Sequence, residues 1–534
     1  MIEKVIVGNQ VFTGIDSQPK PLAILISGNK IEKITSIENY KEFISEDTIV
    51  YEFNDELILP GFHDFHIHLL LGSLMESGVQ LKNAKTADEI VKLIKEYAES
   101  HPDEPVIFGS GWDYHEWTDG KVPHYKILDE AVKDRPVFLY QAEFHSAWVN
   151  SKALELAQIN KDSNETFAFG EVERDENGEP TGVLIEHAIG LVMNKLPFSD
   201  ELKLDLIRRF LDVAKKYGVT SVHDLLRLPD MPTSDAFLYA ELEKRGELTT
   251  RIHFVAPLTG DLSEAKELRE HFRSPFVRFC GLKQFIDGVT TSHTAYLLEP
   301  YSDKEDYCGE PVYDEELIKK WTVEADREGF RVRFHCIGDR AVRLGLDAFE
   351  QAGKENGFRD IRHSIEHVEM IHPTDIKRFS SLGVIASIQP EHLNGSSKEV
   401  FEKLIGSERM NYYSMLKTFQ DNGTTVCFGT DYPIVSLNPM LGIYRAVSRT
   451  DDQGVVWSEN ESITLSDALK AYTYAPAYGS YREDELGTIE EGKLADIVVL
   501  NRNLFAIQLE EIQEASSILT MVDGKVVYKK DKNE

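Results

Sequence analysis

The sequence is short of cysteine, of basic residues and of long hydrophobic runs. Its 534 residues include only four cysteines (Cys280, Cys308, Cys336 and Cys427), and no two lie close together in the chain. A disulfide framework is therefore not expected, which favours a reducing compartment. No apolar run approaches the roughly 20 residues that cross a bilayer, and the first residues, Met1 to Gly8, lack the apolar stretch of a secretory signal. These absences predict a cytoplasmic protein with no membrane partner.

Acidic residues outnumber basic residues by a wide margin. The chain has 91 Asp and Glu against 58 Lys and Arg, a formal charge of -33. A field of that sign repels nucleic acid and anionic membranes, so no nucleic-acid partner is expected, and the excess is read as a solubility feature. Hydrophobic residues make up 42% of the chain. At this length, two or three folding units are expected.

The predicted strands and helices distinguish the two ends of the chain from its middle. Residues 1–56 and 480–534 read as short strands and turns, which predicts one small β domain built from both termini. Residues 57–479 alternate strands with helices, which predicts an α/β fold of the (β/α)8 TIM-barrel type. The first barrel strand ends at His68 and the second is Val219 to Asp224, a gap far longer than one βα unit. An insertion at residues 75–205 is therefore expected at the active-site face.

The insertion contains three of the tryptophans, and two interpretations of it stay open. It holds Trp112, Trp117 and Trp148. In one interpretation these rings are the core of a stabilising lid or a dimerisation patch. In the other, the insertion is a cap that closes the pocket and selects the substrate.

Metal-ligand residue types occur at the ends of several predicted strands. The run Leu57 to His68 ends in His66 and His68, and side chains two residues apart in a strand point to the same face, which Asp64 shares. Further strand-like runs lead to four more candidates: Lys283, His335, His367 and Asp431. A parallel barrel carries its chemistry at the C-terminal ends of its strands. Imidazole nitrogens and a carboxylate without thiolate suit catalytic Zn²⁺, with Mn²⁺, Fe²⁺ or Co²⁺ also acceptable.

Motifs along nearly the whole chain carry a family resemblance. They are Pro60-Gly61-Phe62, Asp64-Phe-His-Ile-His68, His145-Ser-Ala-Trp-Val-Asn-Ser-Lys-Ala-Leu154, Pro180-Thr-Gly-Val-Leu-Ile-Glu186, Lys283-Gln-Phe-Ile-Asp-Gly288, His335-Cys-Ile-Gly-Asp-Arg-Ala341, Glu366-His367, Gly429-Thr-Asp-Tyr-Pro433 and Gly487 to Leu500. With these motifs the chain resembles the amidohydrolase superfamily and, within it, the amidohydrolase-3 branch, which includes N-substituted formamide deformylase-like proteins. The resemblance also implies that the terminal β domain is a small β-sandwich.

The resemblance implies a site with two divalent metal ions. His66, His68 and Asp431 would hold the more buried ion, and His335 and His367 the second. Lys283 would lie between them as a bridging carbamate formed with CO₂. Spacing alone instead favours an ordinary ion pair of Lys283 with Asp287 or Glu299, and Glu186 is a rival bridging carboxylate.

The same resemblance implies hydrolysis of an amide-type C–N bond in a small N-acyl or N-formyl compound. A metal-activated water would attack, and Asp431 would carry its proton to the leaving nitrogen. Two other functions stay open: another reaction of the superfamily, such as ester or lactone hydrolysis or isomerisation, and a non-catalytic metal-binding regulatory protein.

Several other residues have weaker assignments. His145, Glu186 and Trp112 are predicted to contact the substrate. Four further histidines are expected to support the ligands, to pack or to line the pocket rather than bind metal: His63, His223, His363 and His392. Because a homodimer is the commonest assembly, it is the default expectation for this chain.

Overall fold

The computed structural model describes residues 2–114, 117–141, 146–164, 170–225 and 235–530. The chain divides into two compact units. The first contains residues 1–67, 211–225 and 239–534, and the second contains residues 68–210 and 226–238. Among the described residues, no helix is both long and apolar enough to cross a membrane.

Strands and helices are numbered here in chain order. The strands are β1 Lys4–Val11, β2 Lys20–Ser27, β3 Lys30–Thr35, β4 Ile49–Phe53, β5 Leu57–Pro60, β6 Phe62–Ile67, β7 Val79–Gln80, β8 Ile107–Trp112, β9 Val137–Gln141, β10 Ser146–Val149, β11 Gly170–Arg174, β12 Pro180–Glu186, β13 Val219–Asp224, β14 Arg251–Pro257, β15 Val277–Phe285, β16 Val332–Cys336, β17 Ser364–His367, β18 Ile385–Ile388, β19 Val426–Phe428, β20 Ile497–Leu500, β21 Ser517–Val522 and β22 Lys525–Lys529. The α-helices are α1 Leu69–Ser77, α2 Ala87–Ser100, α3 Tyr125–Ala131, α4 Ser151–Leu156, α5 Ile189–Met193, α6 Asp200–Lys216, α7 Ala236–Arg245, α8 Ser263–His271, α9 Glu315–Arg327, α10 Asp339–Asn356, α11 Ile376–Leu382, α12 Lys398–Ile405, α13 Lys417–Asp421, α14 Pro439–Ser448, α15 Leu465–Ala471 and α16 Tyr474–Gly479.

The first unit contains the predicted parallel barrel. Its eight strands lie in the order β6-β13-β14-β15-β16-β17-β18-β19, and neighbouring strands are parallel. The ends of β19 and β6 meet where the Asp431 amide donates to the His66 carbonyl (2.7 Å). Asp64 accepts hydrogen bonds from the His66 amide (3.1 Å) and the Thr430 amide (3.0 Å). This closure places two predicted ligands, His66 and Asp431, beside each other.

The run from Leu57 to His68, which the sequence predicts as one segment leading into the barrel, is divided between two sheets. β5 pairs with β20 in the terminal sheet, whereas β6 pairs with β13 in the barrel. The chain changes sheet at Gly61, where a Cβ atom would lie 2.2 Å from Thr220 Oγ1. Only glycine fits this close approach, which allows β6 to enter the barrel directly after β5 ends.

Both ends of the chain meet in one sheet, in the order β22-β21-β20-β5-β1-β2-β3, with β4 beside β1. The residues of its core are Ile6, Val11, Ile24, Ile26, Ile31, Ile58, Ile489, Ala495, Ile497, Val499, Leu519 and Met521. Arg251 at the start of β14 makes a two-point ion pair with Asp496 (2.8 and 2.9 Å), and both side chains are buried. This pair joins the barrel to the terminal sheet; the sandwich arrangement stays a prediction.

The second unit has its own sheet and core. Its strands lie in the order β11-β12-β10-β9-β8-β7. The rings of Trp112 and Trp117 each lie 5.7 Å from that of Trp148, and all three belong to the core cluster of the unit. The Trp112 indole donates to the Leu139 carbonyl (2.9 Å). This is the packing role that one of the two interpretations gives to these aromatic residues.

Candidate metal centre

Three predicted ligands lie together in the barrel. His66, His367 and Asp431 are buried, and each offers a ligand atom within 4.8 Å of the others. His66 Nε2 lies 3.3 Å from Asp431 Oδ1. The His335 ring is 4.4 Å from that of His367. Because β6, β16 and β17 are parallel, residues at or near their C-terminal ends meet at one end of the barrel.

Two of these ligands have an unusual backbone conformation. His367 ends β17 with φ 73°, and Asp431 follows β19 with φ 59°. For residues with a Cβ atom this left-handed region costs about 1–3 kcal/mol, and such conformations cluster at functional sites. Each turns the chain sharply just after a strand. The fold therefore accepts strain at two neighbouring positions whose side chains are of metal-ligand type.

Lys283, on β15, has a buried amine with an altered pKa. Its Nζ atom has no hydrogen-bond partner among the described residues and lies 5.5 Å from the centre of the Phe285 ring. Burial lowers the pKa of Lys283 to about 8. A buried ammonium without a partner is costly, whereas a neutral amine is not. The site therefore makes the neutral, reactive form of this lysine more accessible than in an exposed lysine.

The ion pair that spacing alone suggested for Lys283 is not formed with Asp287. The Asp287 carboxylate instead accepts three backbone hydrogen bonds, from Tyr296 (2.8 Å), Ile337 (2.9 Å) and Gly338 (2.8 Å). These bonds fix the turn that follows His335. Asp287 is therefore a structural carboxylate beside the site, because its acceptor positions serve the backbone.

The histidines of the site are held in their neutral form. Burial, followed by the charge of Lys283, lowers the pKa of His66 to about 4 and that of His335 well below its usual value. Burial and then the neighbouring His335 ring also lower the pKa of His367, whose Nδ1 has no hydrogen-bond partner among the described residues. Neutral imidazole is the form that binds a metal ion.

Sequence reasoning missed a carboxylate and an arginine beside His66. Glu366 Oε2 lies 3.1 Å from His66 Nδ1, and Arg333 Nε donates to Glu366 Oε1 (2.8 Å). Burial alone would raise the pKa of Glu366, but the Arg333 guanidinium and the bond to His66 hold it well below its usual value. The available signal was an arginine within a buried strand, two residues before His335.

His392 lies beside Asp431, one of the positions that the sequence analysis allows for it. Its Nε2 is 3.7 Å from Asp431 Oδ2, and its Nδ1 is 3.9 Å from Glu369 Oε1. Its ring stacks at 5.8 Å from that of His367. His392 is therefore a polar neighbour of the predicted proton carrier, on the segment that follows β18.

A second group of buried histidines does not have the character of a metal site. His63, His223 and His253 offer nitrogens within 4.8 Å of one another, and their rings are stacked. However, both His223 nitrogens are engaged, because Arg333 donates to Nδ1 (2.8 Å) and Ser480 Oγ lies 2.8 Å from Nε2. Burial and nearby arginines or histidines keep the pKa of all three histidines low. They are neutral packing residues, as expected for His63 and His223.

Three other predicted site residues, His68, Trp112 and Glu186, belong to the second unit. His68 directly follows β6 and precedes α1. Glu186 ends β12 with φ 51°, and Trp112 is buried in the core of its unit. His145 lies outside the described residues. The metal-binding role of His68 and the substrate-binding roles of the other three stay predictions.

The chain is similar to known proteins over almost all of its length. Residues 53–528 match the Amidohydrolase family. The chain is 33% identical over 532 residues to Protein LONG AFTER FAR-RED 3 of Arabidopsis thaliana, covering 97% of this chain and 90% of the relative. It is 25% identical to the N-substituted formamide deformylase of Arthrobacter pascens, covering 95% of each chain. The crystal structure of an uncharacterized metal-dependent hydrolase from Pyrococcus horikoshii OT3 has a TM-score of 0.80 at 26% identity, covering 95% of this chain and 99% of that one.

These similarities agree with the geometry of the site. A parallel barrel carries buried histidines and an aspartate at one end, and a solved metal-dependent hydrolase shares its fold. The predicted family is confirmed by a match that covers most of the chain. The chain belongs to the amidohydrolase family.

Proposed function

We propose that the protein is a metal-dependent hydrolase that cleaves the amide-type C–N bond of a small N-acyl or N-formyl compound. The observation that carries the proposal is the buried group of His66, His367 and Asp431, with the His335 ring beside it. Structural zinc sites are closed and often use cysteine, whereas hydrolytic sites combine histidines with a carboxylate and keep a position open.

The donor set fits one or two divalent ions, with Zn²⁺ the first choice. His66, His335 and His367 supply neutral nitrogens, and Asp431 supplies an oxygen. The buried, unpartnered Nδ1 of His367 is an atom that such an ion would satisfy. When bound, divalent ions polarise a carbonyl group and make hydroxide available at neutral pH.

Asp431 has the position expected of the proton carrier. Its Oδ1 faces His66 Nε2 at 3.3 Å, and its Oδ2 faces His392 Nε2 at 3.7 Å. A carboxylate held between these groups accepts the proton of the attacking water and delivers it to the leaving nitrogen.

Lys283 takes part as a carbamate. A neutral lysine amine reacts with CO₂, forming an N–C bond and releasing one proton, and the product is an anion with two oxygen donors. Burial lowers the pKa of Lys283 to about 8, so the required neutral amine is present near neutral pH. This conversion explains why a lysine lies among ligands for cations.

The C–N bond is proposed because the formamide deformylase of Arthrobacter pascens is similar over 95% of the chain. The test is a panel of N-formyl amines, N-acyl amines, esters and lactones of matched size, assayed with the zinc-loaded protein. Turnover of the amides above that of the esters and lactones supports the proposal. Preferential turnover of esters or lactones would replace it with another reaction of the superfamily.

Metal content and turnover together separate a metal-dependent enzyme from a non-catalytic metal-binding protein. The protein is purified without chelator and with bicarbonate, and its metal is measured by elemental mass spectrometry. We expect about two equivalents per chain, and His367→Asn lowers the number. His363→Asn is the matched control, because His363 is also buried near β17 but lies 3.3 Å from Asp326 Oδ2. Bound metal without turnover of any substrate class would support a non-catalytic role.

A further inference from the structure

The two nitrogens of His66 face two different carboxylates. Nδ1 lies 3.1 Å from Glu366 Oε2, and Nε2 lies 3.3 Å from Asp431 Oδ1. A neutral imidazole has one N–H group and one lone pair. Since Asp431 is a proposed metal ligand, His66 contributes to the same ion only if its Nε2 carries the lone pair. The orientation of the N–H group must therefore be fixed from the Nδ1 side.

Glu366 is the fixed acceptor on that side. Arg333 donates to both oxygens, from Nε to Oε1 (2.8 Å) and from Nη2 to Oε2 (3.0 Å), and Ser364 Oγ donates to Oε1 (2.7 Å). Glu366 and Arg333 are fully buried. A carboxylate held as an anion by a two-point arginine contact is an acceptor only, so His66 Nδ1 must donate to it.

Arg333 is itself held on its other sides. Its Nη2 donates to the Phe65 carbonyl (2.7 Å), its Nη1 donates to His223 Nδ1 (2.8 Å), and its guanidinium lies over the Phe65 ring at 4.2 Å. Phe65 directly precedes His66. One guanidinium therefore fixes both the backbone that carries His66 and the carboxylate that contacts its ring.

The side-chain amide of Gln389 also faces His66 Nδ1. Its Nε2 is placed 3.3 Å from that atom, and its Oε1 has no hydrogen-bond partner among the described residues. The oxygen and nitrogen of an amide group are exchanged by a flip of the side chain. With Nδ1 as the donor, Gln389 presents its oxygen, and the N–H group of His66 then lies between two acceptors.

We propose that Arg333 and Glu366 are positioning residues that hold His66 with its proton on Nδ1, which leaves its Nε2 lone pair free for an ion shared with Asp431. This inference rests on the proposed function, because it concerns the ligand set of the same site. Residues that orient a histidine ligand in this way typically contribute 10–100-fold to metal affinity. Neither residue contacts the substrate in this proposal; each acts through His66.

The test compares Arg333→Lys with Arg331→Lys. Arg331 is buried two residues earlier in the chain and lies 5.1 Å from the same Phe65 ring, but it donates to the Gly479 carbonyl. The two variants therefore lose a buried guanidinium next to the same ring, and only Arg333→Lys loses the two-point contact with Glu366. Glu366→Gln keeps the size of the side chain but removes its charge and replaces one acceptor oxygen with a donor NH₂ group, so the side facing His66 is no longer fixed as an acceptor.

Two quantities are measured for folded, metal-free protein. The first is the protonation site of His66, by NMR of ¹⁵N-histidine protein, with the signal assigned by its loss in His66→Gln. The second is zinc affinity, by competition with a chromophoric chelator. We expect Arg333→Lys and Glu366→Gln to mix the two proton positions of His66 and to weaken zinc binding roughly 10–100-fold. Arg331→Lys keeps both properties of the wild-type protein.

The results separate this inference from the proposed function. An Nδ1–H signal that persists in Arg333→Lys, or equal losses in Arg331→Lys and Arg333→Lys, would overturn the positioning role. A wild-type protein that binds no zinc, with the His66 proton still displaced by Arg333→Lys, would preserve the positioning role and refute the proposed metal centre.

Discussion

The pKa of Lys283 leads to a quantitative prediction about its reaction with CO₂. At pH 7, an amine with a pKa of about 8 is neutral in roughly one molecule of ten. A lysine with the model value of 10.5 is neutral in about one of three thousand. The buried site therefore raises the neutral fraction of Lys283 by 10^2.5, or roughly 300-fold. At fixed dissolved CO₂, carbamate on Lys283 should increase steeply with pH below 8 and less steeply above it, because carbamate formation itself releases one proton.

The assay is ¹³C NMR of the protein in ¹³C-labelled bicarbonate. We expect one carbamate signal in the wild-type protein, and none in Lys283→Ala, which should also lose metal. Small carboxylic acids should partly restore activity to this variant by replacing the missing oxygens. A wild-type protein without the signal at any pH, or Lys283→Ala with unchanged metal content, would refute the reasoning and direct attention to Glu186.

The same pKa shift predicts a pH effect on the stability of metal-free protein without CO₂. Because the folded-state pKa of Lys283 is depressed, the unfolded chain binds more protons between pH 8 and 10.5. The penalty for burying Lys283 is fully present below pH 8 and is relieved as the pH rises through this window. Relative to Lys283→Met, the wild-type protein should gain about 3 kcal/mol in urea unfolding across it. A constant difference between the two proteins would contradict the pKa shift.

Three further substitutions test other contacts. Asp431→Asn should lower kcat by roughly 10²-fold or more, the usual effect of losing a general acid–base group, and near-native turnover would remove Asp431 from that role. Arg251→Met should lower the free energy of unfolding by about 3–5 kcal/mol, because it leaves Asp496 buried without its main partner; a urea midpoint like that of the wild type would show that the pair is dispensable. Asp287→Ala should cost about 1–3 kcal/mol for each backbone N–H that it leaves without an acceptor, and should broaden the His335 NMR signal. An unaltered His335 signal would argue against a positioning role for this carboxylate.

The sequence by itself determined the barrel and several of the candidate ligands that the structure brings together. The alternation of strands and helices predicts parallel strands, and parallel strands place residues such as His335, His367 and Asp431 at one end. The sequence predicts that the second and third barrel strands start at residues 219 and 251, and β13 and β14 begin at these residues. These predictions need only local periodicity and the rule that barrel sites lie at the C-terminal ends of strands.

Only the tertiary structure decided which residues support those ligands. The contact of Arg333 with Glu366 depends on the register of β16 against β17, and its contact with Phe65 requires β6 to lie across the barrel. The division of the first predicted strand at Gly61 depends on the close approach of Thr220, more than 150 residues away in the chain. Local patterns encode which face of a strand is buried. They do not encode which distant polar group meets another, because that pairing is set by the packing of the whole barrel.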